Sequence, residues 1–180
     1  MDAKQKNIAQ FYEARTQYFK WLNSVKLLVS GFEIDKNYLT PIAQDSAFGR
    51  WFYTQGLQFS RFQSKNVLDE LEEILALMYE VYTKIYAIYY GEKKSALKSL
   101  LGIRQVPNKH EQELAARYYE ELVLHADRFK KRLSLFESQL LSMSQEKHVT
   151  INRIKTDTQQ KKEKDHMSEE GGLYHGPRSH

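Results

Sequence analysis

The chain has 180 residues, 27 Lys and Arg against 23 Asp and Glu, a formal charge of +4 and no cysteine. One domain with an extension fits this length and buries enough surface to fold without staples, and the missing thiols exclude disulfide frameworks, thiolate zinc sites and cysteine nucleophiles together. Opposite charges nearly cancel, so a nucleic-acid partner is disfavoured. The N-terminus Met1-Asp2-Ala3-Lys4-Gln5-Lys6 precedes no apolar run of signal-peptide or membrane-spanning length, so a cytoplasmic protein without membrane insertion is expected.

The first helix is expected over about Ala3 to Ser30, with Ile8, Phe11, Tyr18, Leu22, Val25 and Val29 on one face and Gly31 as its stop. Residues 31 to 45, with Asn37, Pro41 and Asp45, read as a loop, and Asp45 or Ser46 is placed to cap a short helix that ends at Gly56. From about Ser64 to Tyr90 the stripe Leu68, Leu71, Leu75, Met78, Tyr82, Ile85 and Tyr89 alternates steps of three and four, closing near Gly91. Residues 92 to 101 suggest a short basic helix and 102 to 108 a turn. A third long helix then runs from about Lys109 through Leu114, Tyr118, Leu122, His125, Phe129, Leu133, Phe136, Leu140 and Met143. Strand signals are nearly absent. These patterns predict an all-α, antiparallel, four-helix-bundle-like domain over residues 1–145 with short accessory helices. Residues 146–180, rich in Lys, Gln and Glu, read as a polar tail that frays from a helix into disorder.

Two tryptophan motifs stand out: Tyr18-Phe19-Lys20-Trp21, and Ser46-Ala47-Phe48-Gly49-Arg50-Trp51. Leu71 to Tyr79 follows on the next long helix. In order and spacing these resemble the chemoreceptor zinc-binding (CZB) domain of bacterial signalling proteins, whose pattern is roughly H-x-x-W, then C-x-x-G-x-W, then two His one helical turn apart. The framework residues Trp21, Gly49 and Trp51 match. The resemblance puts Tyr18, Ser46, Leu75 and Tyr79 at the four zinc-ligand positions, and none of these is a usual zinc ligand. The expectation is a metal-free pocket refilled by packing, with the hydroxyls of Tyr18, Ser46 and Tyr79 bonding one another or water.

The six His do not replace the lost ligands. His125 lies on the apolar stripe with Glu121 one turn before it, an E-x-x-x-H spacing, whereas a di-iron bundle uses E-x-x-H twice; it reads as a core or edge histidine. His110 reads as surface. His148, His166, His175 and His180 read as tail residues without fixed geometry. No catalytic triad, H-E-x-x-H, P-loop or G-x-G-x-x-G is present, so no enzyme and no cofactor is implied. The resemblance implies a non-enzymatic regulatory or interaction module in bacterial cytoplasmic signalling, of the chemotaxis or cyclic-di-GMP kind. It would act through a protein partner or as a homodimer, using an exposed helix face or the tail. The alternative is a small-molecule sensor whose pocket occupies the former zinc position.

Overall fold

The computed structural model describes residues 1–62, 65–91 and 106–153. The expected short helix over 92–101 and the tail from 154 lie outside them. The long helices are α1 (Ala3–Val29), α3 (Lys65–Tyr90) and α4 (Lys109–Ser142), with a short α2 (Ala47–Thr54) and three 3-10 turns, Lys36–Tyr38, Ala43–Asp45 and Gly56–Arg61. Residues 145–153 form a further helical segment, α5. No strand occurs among the described residues.

Local chemistry fixes the helix ends. Asp2 and Asn108 start α1 and α4 with reciprocal capping boxes through Gln5 and Glu111. Past the other end of α1, Gly31 takes φ 90, a left-handed conformation that glycine adopts without penalty. The short helix α2 ends at Thr54, just before Gly56 as expected, and Gly56 opens a 3-10 turn, Gly56–Arg61, that holds the buried Phe59.

Cross-helix contacts give the topology. Phe11 meets Trp51 and Tyr18 meets Phe48, so α2 runs against α1. Tyr18 meets Phe129 and Arg15 pairs with Glu137, so α4 also runs against α1. Glu70 pairs with Arg132 while Lys84 lies over Tyr118, which makes α3 antiparallel to α4. The result is an up-down-up-down bundle whose second member is α2 continued by the 3-10 turn.

The buried face of α1 is Asn7, Phe11, Ala14, Tyr18, Trp21, Val25 and Leu28, a steady alternation of four and three. Ile8, Leu22 and Val29, expected in the stripe, are only partly buried beside it. On α4 the core positions are Ala115, Leu122, Ala126, Phe129, Leu133, Phe136 and Leu140. Ala115 and Ala126 are fully buried in place of the expected Leu114 and His125, and a small side chain carries too little hydropathy to mark such a position. On α3 the expected Leu68, Leu71, Leu75, Met78, Tyr82 and Ile85 are all buried.

One boundary moves. The chain beyond residue 145 is not wholly a tail: α5 packs back on the bundle, with His148 at 0% and Ile151 at 3% exposure. Only two apolar-facing side chains are needed to dock a segment this short, too few to register as a stripe in a Lys- and Gln-rich stretch.

Candidate functional site

The site is built around the N-terminus of α2. Ser46 sits in extended backbone as its cap; the Ser46 Oγ accepts from the Gly49 N–H at 2.9 Å and donates to the Ala43 carbonyl at 2.7 Å. Gly49 is required here for space: a Cβ would stand 1.8 Å from the Ala43 carbonyl oxygen. The Tyr79 phenol of α3 lies beside the Ser46 hydroxyl, close enough for Ser46 to favour its charged form. Above it the Trp21 indole lies flat on Tyr79, with centroids 5.1 Å apart and planes at 9°, and meets Tyr82 edge-on at 5.1 Å.

Tyr18, Ser46, Leu75 and Tyr79, together with Trp21 and Phe48, line one cavity of about 770 Å³. The structure therefore gathers all four positions singled out in the sequence, from three different helices, onto one space. Trp21 and Trp51 are both buried, as framework residues of a bundle should be. Trp51 lies off the cavity, packed among Phe11, Phe48 and Phe136.

Residues that the sequence did not single out form the rim. Lys20 and Arg50 bring positive charge, and Glu33, Asp35 and Asp45 bring negative charge. Asp35 shapes its own wall by accepting from the Asn37 N–H at 2.9 Å. The Arg50 guanidinium donates to the Asp45 carbonyl. Helical spacing could have flagged Arg50, one turn after Ser46, but no periodicity marks the Glu33 to Thr40 wall.

Burial governs the phenols. The Tyr79 hydroxyl is pushed up to about 12 by desolvation, against a smaller opposing effect of the neighbouring Ser46 hydroxyl. Tyr18 is raised further, by desolvation first and then by Asp127 and Tyr119, and Tyr82 likewise by desolvation and its tyrosine neighbours. All three stay neutral at physiological pH. The Tyr18 hydroxyl, the Trp21 Nε1 and the Tyr82 hydroxyl are buried without a hydrogen bond to the described residues, although Trp21 Nε1 lies near enough to the Tyr82 oxygen to favour its charged form.

The zinc that the CZB resemblance implies does not fit these donors. Two neutral phenols, a serine hydroxyl already bonded to backbone, and a leucine offer no soft or anionic ligand. Among the described residues no group of three or more His, Cys, Asp or Glu is placed to hold a metal ion. His125 is partly buried on the edge of α4, its Nδ1 without a hydrogen bond to the described residues, and lies outside the cavity. No helix among the described residues is long and apolar enough to cross a membrane. Comparison of the chain with protein-family models, with curated proteins and with solved structures returns no match.

Proposed function

We propose that the protein is a non-enzymatic regulatory module that responds to a small dipolar molecule bound at the former zinc position. The observation that carries this reading is the cavity of about 770 Å³ bounded by Tyr18, Ser46, Leu75 and Tyr79. Its volume lies in the range of small-molecule sites. An aromatic base with both signs of charge on the rim suits a ligand that carries a cationic and an anionic group, such as an amino-acid-like zwitterion. Lys20 and Arg50 would face the anionic end, and Asp45 with Asp35 the cationic end. The CZB resemblance adds the setting: a bacterial signalling pathway in the cytoplasm, with the bound state read by a protein partner. No step of covalent chemistry is assigned to the site.

A panel of zwitterions in thermal unfolding tests the reading. A ligand that binds only the folded state stabilises it by about 2.7 kcal/mol at one hundred times its dissociation constant, or roughly 5–11 °C for a domain of this size. Lys20→Ala and Asp45→Asn, both at exposed positions, should abolish the shift and leave the unliganded melting temperature unchanged. A ligand whose shift survives both substitutions binds elsewhere and refutes the assignment.

A further inference from the structure

The α5 segment is held by a buried polar contact of a kind that acid disrupts. Asn7 of α1 is 5% exposed and His148 of α5 is fully buried. The Asn7 amide lies 3.2 Å from His148 Nδ1, so the amide donates and Nδ1 is the bare nitrogen of a neutral ring. Phe59 packs edge-on against the ring at 6.1 Å. Beside this pair Lys4 makes three bonds across the same seam: its ammonium donates to the carbonyls of Leu141 at 2.7 Å and Met143 at 2.9 Å, and its backbone N–H to Gln145 at 3.2 Å. The first turn of α1 thus caps the end of α4 and receives α5 in one place.

We propose that segment 145–153 is an acid-released latch, docked while His148 is neutral and undocked once its ring carries a proton. A proton on Nδ1 would set donor against donor at Asn7. The Asn7 amide could turn its oxygen inward to repair that contact, but the cation would remain buried, with Lys4 beside it. The groups that act on the ring from each neighbouring element are Asp2 and Lys4 from α1, the uncharged Phe59 from the 3-10 turn, and the Leu140 carbonyl from α4. Burial is the largest influence and lowers the affinity of the ring for a proton; Lys4 adds to it, while the Leu140 carbonyl and Asp2 oppose it. The sign follows: the undocked segment binds the proton more tightly, so docking is complete above the ordinary imidazole range near pH 6.5 and weakens as the pH falls below it. Release would uncover Phe59 and the adjoining Phe136, an apolar patch on the bundle end.

Amide hydrogen exchange of the full chain from pH 8 to pH 5, expressed as protection relative to free peptide, tests this. Protection of the amides of 148–153 should hold steady above pH 7 and fall by up to about tenfold per pH unit below 6.5, while amides of α3 from Leu71 to Ile85 keep theirs. His148→Gln should make the α5 profile flat. Asn7→Asp, which sets a carboxylate against the imidazolium, should invert it, with α5 better protected at pH 6 than at pH 8. Constant protection in the parent, an unchanged fall in His148→Gln, no inversion in Asn7→Asp, or an equal loss in α3 would each overturn the latch.

Discussion

Gly49→Ala probes the geometry on which the whole site rests. The added methyl would stand 1.8 Å from the Ala43 carbonyl oxygen and 2.9 Å from Ser46 Oγ, while real Cβ contacts essentially never fall under 3.0 Å. The first obstacle is backbone, so no side-chain rotation relieves it; either the Ala43–Asp45 turn or the start of α2 must retreat by more than an ångström. That retreat carries away the Ser46 cap, worth about 1 kcal/mol, and adds an overpacking cost of about 1–3 kcal/mol. Together these predict a loss of about 3 kcal/mol, or roughly 6–12 °C in melting temperature. Ser46→Ala, which removes the cap without the clash, should lose only about 1 kcal/mol. Thermal and urea unfolding followed by circular dichroism separate the two variants. A Gly49→Ala protein that melts within 2 °C of the parent, or no lower than Ser46→Ala, would mean that the turn and α2 are not packed as described.

Two further substitutions test the layer around the cavity. The Tyr82 hydroxyl is buried without a hydrogen bond to the described residues, so Tyr82→Phe should leave stability unchanged or raise it by up to about 1 kcal/mol in urea unfolding, and a loss above about 2 kcal/mol would show that the hydroxyl is bonded, with the nearby Trp21 Nε1 as the first candidate donor. The parent should carry no stoichiometric zinc in elemental analysis, whereas Tyr18→His, Ser46→Cys, Leu75→His and Tyr79→His together should bind zinc and melt higher in its presence; a folded quadruple variant indifferent to zinc would count against the resemblance.

The helices were legible in the sequence because apolar periodicity and capping residues are local signals. Asn108, Ser46 and Gly31 each stand where their chemistry ends or begins a helix. What escaped was non-local or small. Ala115 and Ala126 are buried by what packs around them, not because alanine is strongly apolar. His148 is buried by contacts with Asn7 and Phe59, 141 and 89 positions away, and a lone His among polar residues carries no sign of that. The four cavity positions were found through the spacing of Trp21, Gly49 and Trp51. The charged rim was not, since Glu33, Asp35 and Lys20 meet only once α1 and the following loop are folded.

Buried polar atoms that bond no described residue occur in more than one layer of the core. In the layer of Phe11, Trp51, Phe59 and Phe136, aromatic rings interlock and Asn7 bonds His148 Nδ1, while His148 Nε2 and Gln139 Oε1 bond no described residue. One layer further along, Tyr18, Trp21 and Tyr82 bury three polar atoms that likewise bond no described residue, next to the cavity. Each such atom costs on the order of 1–3 kcal/mol, and phenylalanine at both tyrosine positions would avoid most of that cost with nearly the same shape. The second layer differs in lying against the cavity, which Tyr18 and Trp21 line.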